Sequence, residues 1–336
     1  MSKSINMNML RDRALKLPEV TDKMLKEIRS EHLLLMNEYL EISSGSLSKQ
    51  SISQYRSALG QFFWWVHIAL NDKPLEKISK RDFLRYISYL SNRGMSSSAL
   101  ALKKAAVSSL NNYIENVVAD DDETFKMFRN FTRGLPAIPK NKVYNKVKIT
   151  KDEYDLTMQT LEEDENYLGM AWVATAFNIG ARRSEIPQLR TEILSYPIPE
   201  DQNYIMSHII RLKGRSEQGK QEAYMVNQDA LHYMRIWTEK RGYENDHIFT
   251  IKYNGSVQPM SPSWADDFCS NVLSDILGRR INPHLFKASC ITYLLEVKKV
   301  PIEIVSKYIA HHENIATTIS HYDLRDFAEE KNKIFG

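Results

Sequence analysis

Pro283-His284-Leu285-Phe286-Lys287, followed by His311-His312 and then by Tyr322, is the stretch that decides what kind of chain this is. A proline just before His284 suits the opening of a helix, where its missing N–H costs nothing. Apolar residues then recur at Leu285, Ala288, Ile291 and Leu295, three or four apart, which predicts one buried face. His284 and Lys287, three apart, project from the same side of the first turn. A second helix is predicted from Pro301, turning Ile302, Val305 and Ile309 inward and ending at His311-His312. Asn314 to Thr318 then lead into a third, short helix bearing Tyr322. A phenol, with an ordinary pKa near ~10, is a poor nucleophile. It needs cations that stabilise phenolate and a neighbour that handles protons, and the histidines with Lys287 supply both. Taken singly, each of these residues is more often a plain part of a helical core.

A second stretch changes that balance: Asn178-Ile179-Gly180-Ala181-Arg182-Arg183-Ser184-Glu185-Ile186, with Leu189 three positions on. In this order the two stretches resemble the tyrosine recombinases of the phage-integrase family. The family pattern is a Gly-Leu-Arg-x-Ser-Glu-Leu turn into a helix, a lysine on a β-hairpin, His-x-x-Arg, Gly-His, and the tyrosine. By position the first arginine falls on Arg182 and the His-x-x-Arg box on His284 and Lys287. The hairpin lysine falls on Lys213, in His208-Ile209-Ile210-Arg211-Leu212-Lys213-Gly214, with Lys220 as a second candidate. The late histidine falls on His312, ten residues before Tyr322; His311 stands where the family usually has glycine, so it too is a candidate. Lys287 replaces an arginine. Arginine grips two phosphate oxygens with a planar fork, whereas lysine offers a point charge on a flexible stem.

The resemblance implies a mainly α fold with a small β-sheet. An N-terminal helical, SAM-like core-binding domain would precede an α+β catalytic domain. It also implies a site-specific recombinase of phage or mobile-element type. Tyr322 would attack a scissile phosphate in double-stranded DNA, Arg182, Lys287 and His312 would stabilise the charged intermediate, Lys213 would protonate the leaving oxygen, and His284 would assist. The covalent link conserves bond energy, so no cofactor is expected, and no carboxylate set suggests metal catalysis. The working assembly would be a homo-tetramer on two duplexes, with accessory DNA-bending proteins as further partners. The segment after Tyr322 would be an exchange element. The other reading keeps the fold without the reaction: a phage or prophage repressor binding DNA as a monomer or dimer, with Lys287 its main support.

Working outward, 336 residues with 43% apolar content suffice for about two domains. Residues 1–29 are a mixed-charge leader, 30–133 a helical core-DNA-binding domain, 134–148 a basic linker, and 149–336 the catalytic domain with its tail. Helices are predicted from His32, after Ser48, from Ser79 and after Ser96 to Ser98, with Phe62-Phe63-Trp64-Trp65 as core. A further helix is predicted over Phe125–Phe131, behind the acidic loop Asp120-Asp121-Asp122-Glu123, which lacks the alternating ligands of a calcium loop. In the second domain Thr150 caps a helix, Gly169 to Ile179 form a buried one, and His208–Lys213 and Ala223–Val226 form two strands. Gly214 to Lys220 nearly spell a phosphate-cradling loop, but Gln221 stands where Ser or Thr is required.

Net charge is only +3, yet residues 1–133 hold 20 Lys/Arg against 15 Asp/Glu, while residues 134–336 hold 25 against 27. The excess favours a DNA grip in the N-terminal half. By the resemblance, Lys80, Arg81, Ser97 and Lys103 or Lys104 are candidates for phosphate contacts; the linker lysines Lys140, Lys142 and Lys146 join them as a basic strap. Two cysteines, Cys269 and Cys290, form no disulfide framework or zinc set and fit a reducing compartment. No apolar run approaches ~18 residues, and a prokaryotic cytoplasmic, nucleoid-associated location is expected.

Overall fold

A computed structural model describes residues 19–139, 146–212, 220–327, 331–332 and 334. These fall into two compact units, one before and one after residues 140–145.

The N-terminal unit is helical: α1 (Asp22–Glu27), α2 (Ser30–Ser43), α3 (Lys49–Leu70), α4 (Lys80–Asn92) and α5 (Ser97–Tyr113). Ser48, Ser79 and Ser96 open α3, α4 and α5 by accepting the N–H three residues on, and Asp82 closes a reciprocal box with Ser79. Phe62, Phe63, Trp65, Phe83 and Tyr86 are buried, while Trp64 is half-buried and stacks on His67. Phe62 meets four rings, of Phe63, Phe83, Tyr86 and Phe131, at centroid distances of 5.2–6.3 Å. The core reaches back to Leu25 and Ile28 and forward to Leu135 and Ile138, so both flanks of the 30–133 segment fold onto it.

The helix expected over Phe125–Phe131 is not formed. Only a single 3₁₀ turn, Glu123–Phe125, opens that segment. Its phenylalanines 125, 128 and 131 are all buried, but Asn130 overrides the periodicity. The Asn130 amide donates to the Ser108 carbonyl and to Asn112 Oδ1, and its own oxygen accepts from the Thr132 N–H and hydroxyl. A buried amide so fully bonded pins the backbone in a turn.

The C-terminal unit opens with α6 (Lys151–Glu163), capped by Thr150, and α7 (Tyr167–Ile179). Almost every side chain of α7 from Gly169 onward is buried, as expected of a helix apolar on all sides. Trp172 lies edge-on to Phe268 and Phe286. A broken hairpin follows. β1 (Tyr204–Met206) pairs antiparallel with β4 (Met225–Asn227), and β2 (Ile210–Leu212) with β3 (Lys220–Glu222). Between the ladders, residues 207–209 oppose only 223–224, tied by Ser207 N–H to the Tyr224 carbonyl at 2.8 Å and Tyr224 N–H to Ser207 Oγ at 2.9 Å. The extra residue is a bulge, and it turns the Tyr224 side chain into the core. The two predicted strands are therefore four short ones.

Next come α8 (Gln228–Lys240) and a hairpin of β5 (Thr250–Tyr253) with β6 (Ser256–Pro259), turning on Asn254-Gly255, both at positive φ. Then α9 (Pro262–Phe268) continues through a wide turn at Cys269–Leu273. The chain closes with α10 (Pro283–Glu296), α11 (Ile302–Tyr308) and α12 (Ile315–His321). Among the described residues no helix is long and apolar enough to cross a membrane.

Candidate active site

Arg182 is placed by the end of α7. Gly180 terminates that helix at φ +63°, and a Cβ there would meet Ile309 Cγ2 at 3.1 Å and Cys290 Sγ at 3.3 Å. Left-handed backbone and close approach both call for glycine. Three residues after Arg182, Glu185 gathers the turn. One oxygen accepts the Arg182 N–H at 2.6 Å, the other accepts Arg182 Nη1 at 2.9 Å, and Tyr224 donates its hydroxyl to the first at 2.5 Å. Glu185 is 1% exposed. Burial pushes its carboxyl up, but the charges of Lys287 and Arg182 and the Tyr224 hydroxyl outweigh it and hold the group below its ordinary value. Burial pulls the guanidinium of Arg182 down, yet the Glu185 charge leaves it raised, and it also senses the phenol of Tyr322.

Lys287 enters from α10 and is 1% exposed. Its Nζ has no hydrogen-bond partner among the described residues. Burial, then the charge of Arg182, bring its pKa down to about 7, with Glu185 opposing. A buried amine held short of a partner is poised for something outside the protein.

The histidines sit beyond α11, which ends at Tyr308, earlier than the expected end at His311-His312. His311 takes φ +54° and lies edge-on to the Tyr224 ring at 4.6 Å. His312 Nδ1 lies 2.9 Å from Thr318 Oγ1, whose own proton goes to Ser306 Oγ at 2.8 Å. Thr318 is thus the acceptor, which assigns the proton to Nδ1 and leaves Nε2 bare. That Nε2 is buried without a partner among the described residues. Burial, then the Lys287 charge, bring both rings down to about pKa 4, so both are neutral. The His312 ring lies 4.8 Å from that of Tyr322.

Tyr322 follows α12 directly, half-buried. Its carbonyl accepts from Thr292 Oγ1 at 3.1 Å, and the same hydroxyl accepts the Leu324 N–H at 3.0 Å. Lys146, expected only as part of the basic strap, donates to the His321 carbonyl at 2.6 Å and stands 5.8 Å from the Tyr322 ring centre.

Arg182, Lys287, His311, His312 and Tyr322 are therefore one interacting set. His284 is exposed at the first turn of α10. Three residues separate it from Lys287, but the helix turns one outward and the other into the core. Lys220 pairs with Glu222 at 3.2 Å on β3. Lys213, Lys140 and Lys142 lie outside the described residues. In the N-terminal unit Lys80 and Arg81 are exposed at the start of α4, and Ser97 and Lys104 are half-buried. Lys103 is buried and donates to Gln61. Tyr224, Thr318, Ser306 and Thr292 were not singled out in the sequence, because each acts through a partner far along the chain.

Comparison with known proteins bears on the whole chain. The pattern of the "Phage integrase family" matches residues 147–329, and that of the "Phage integrase, N-terminal SAM-like domain" matches residues 37–116. The SPbeta prophage-derived recombinase-like protein YomM of Bacillus subtilis (strain 168) is 65% identical over 335 residues, covering 100% of both chains. Among solved structures, the XerH site-specific recombinase bound to a palindromic difH substrate superposes with a TM-score of 0.67 at 15% identity, over 90% of this chain and 95% of that one. The Tn1549 transposon integrase in complex with transposon right end DNA gives 0.64 at 15% identity, over 89% and 98%. A lambda integrase dimer bound to a core site gives 0.62 at 14% identity, over 87% and 99%. At these identities the structural likenesses speak for the fold.

Proposed function

This chain belongs to the phage integrase family, and from that premise we propose that it is a site-specific recombinase acting on double-stranded DNA through Tyr322. The observation that carries this reading is the bare Nε2 of neutral His312 beside the Tyr322 ring, with the Arg182 charge reaching the same phenol. The Tyr322 oxygen attacks phosphorus and gives its proton to the bare Nε2 of His312, forming a 3′-phosphotyrosyl bond, while the bond from phosphorus to the 5′-oxygen breaks and that oxygen leaves with a proton from the hairpin lysine, Lys213. Arg182 holds a phosphate oxygen through donors that Glu185 does not use. Lys287 adds positive charge from within, and the bare Nε2 of His312 can only accept a proton, which suits it to take the one the phenol gives up. Rejoining runs the steps in reverse with a new 5′-hydroxyl, so the broken bond is conserved in the link. The working assembly we propose is four protomers on two duplexes.

One observation favours a second reading, a DNA-binding repressor that keeps the fold without the chemistry. Lys287 is buried to the last percent and presents no planar fork. Losing one oriented donor from such a site costs ~10²–10³ in rate. A suicide duplex, nicked beside the scissile position and drawn from the prophage's own candidate sites, separates the two. The recombinase reading expects a slow covalent adduct from wild type on denaturing gels, faster with Lys287→Arg, and none with Tyr322→Phe. Tight site binding with no adduct from either wild type or Lys287→Arg would hand the protein to the repressor reading.

A further inference from the structure

Two places where this sequence departs from the family pattern, His311 and Lys287, both connect to a residue that the pattern does not mention, the first directly and the second through Glu185. His311 rests edge-on on the Tyr224 ring, 4.6 Å between centres. Lys287 acts on Glu185, and Glu185 receives the Tyr224 hydroxyl at 2.5 Å. Tyr224 reaches this position only because the bulge at residues 207–209 turns it inward, and it is 1% exposed. We propose that Tyr224 is a positioning residue of the site. Its hydroxyl fixes one oxygen of Glu185 so that the other holds Arg182, and its ring seats His311. It does so from the hairpin whose arm β3 begins at Lys220, so the Arg182 turn and that hairpin are aligned through one phenol. The proposal rests on the recombinase reading for the use made of Arg182, but the linkage itself is a property of the folded chain.

The physical case is one of satisfaction. A buried carboxylate accepts several hydrogen bonds or is costly to keep charged. Glu185 has three here: the Arg182 N–H, Arg182 Nη1 and the Tyr224 hydroxyl. The charged and titratable groups facing it are Arg182, Lys287, His311 and Tyr224. Without the hydroxyl, the oxygen that takes the Arg182 N–H loses its second donor. The carboxylate is then freer to rotate, and Arg182 loses its fixed direction. Burial and the neighbouring Glu185 charge keep the phenol protonated, well above its ordinary range, so it is always the donor in this pair.

The test reads Glu185 directly. Full-length protein labelled with [δ-¹³C]glutamate is titrated by NMR, with Glu185→Gln identifying the resonance. Tyr224→Phe, which keeps the ring under His311, should raise the Glu185 titration by about one unit or more, as expected when a buried carboxylate loses a hydrogen-bond donor. Tyr224→3-fluorotyrosine, whose more acidic phenol keeps the volume and the fold, should lower it. Adduct formation on the suicide duplex should fall about tenfold or more in Tyr224→Phe, and its acid limb should move up with the carboxyl. An unchanged Glu185 titration in the 3-fluorotyrosine protein and in Tyr224→Phe would overturn the proposal, whatever the adduct assay shows. Shifted titrations with no adduct from wild type would leave the linkage standing and remove the recombinase reading instead.

Discussion

At the scale of single residues, the neighbouring arginines of the turn have opposite fates. Arg182 is mostly buried and engaged with Glu185, while Arg183 pairs with partly exposed Asp266. An exposed pair of that kind is worth little. Arg182→Ala is therefore expected to cost 10²-fold or more in adduct formation and Arg183→Ala less than threefold, measured on the same suicide duplex. Lys287 poses the reverse case, a charge kept where folding alone would not choose it. A buried ammonium without a hydrogen-bond partner carries a desolvation cost that an apolar chain of similar volume relieves. Lys287→Met should hold or raise the unfolding midpoint in urea by about 1 kcal/mol equivalent while abolishing the adduct. A loss of several kcal/mol would show that Lys287 is structural. Arg182 and Tyr322 stood out as candidates through the family resemblance, since each sits in a local motif. Their supports were not, because Tyr224, Thr318 and Thr292 bond across 39, 6 and 30 residues.

Elements were legible where their signals are local. Ser48, Ser79, Ser96 and Thr150 cap helices as side-chain chemistry demands, and all four starts were readable. The unbroken apolar run ending at Ile179 likewise gave α7. The Phe125–Phe131 segment misled because its spacing of three mimics a helix, while Asn130 spends its amide on a turn. The hairpin was read one ladder short because a bulge inserts a residue without changing composition. Gly180 tests the junction between element and site. An alanine there must hold φ at +63° and push against Ile309 and Cys290. Gly180→Ala should cost about 1–3 kcal/mol in chemical denaturation. A neutral result would mean that α7 can end otherwise and that Arg182 is not positioned by the turn.

For the molecule as a whole, two dependences on solution conditions follow. Under the DNA-binding proposal each phosphate neutralised steepens the fall of log affinity with log salt by about 0.9. Anisotropy across a salt series should give a slope steeper than about −3, and a flat line would remove DNA binding under either functional reading. Stability should also rise with pH through two windows. His32 is 1% exposed, stacked on Phe63, and its pKa is brought down by burial to about 4; His311 and His312 match it. The unfolded chain takes these protons near ~6.5 and the folded one only near 4, so stability present above 6.5 is lost as pH falls. For His32 alone the full gap is worth on the order of 3 kcal/mol. Lys287 acts in a higher window: the folded form releases its proton near 7, the unfolded form near 10.5, so its penalty lifts as pH rises between them. Denaturation midpoints at several pH values should climb through both windows, with Lys287→Met removing the upper one and narrowing the lower one, since its charge also bears on His311 and His312. Equal midpoints at pH 4.5 and 7 would contradict the buried, neutral histidines.

Thr292 has a mechanical consequence. Its single hydroxyl grips the chain at Tyr322 and two residues on, at the Tyr322 carbonyl and the Leu324 N–H. Under the recombinase proposal, a tug of duplex joined to Tyr322 would pass into α10 through that oxygen as well as through the apolar packing of the ring, before it could unwind the short α12. Thr292 would then act like a rivet through a plate, sharing the tension at the attachment point.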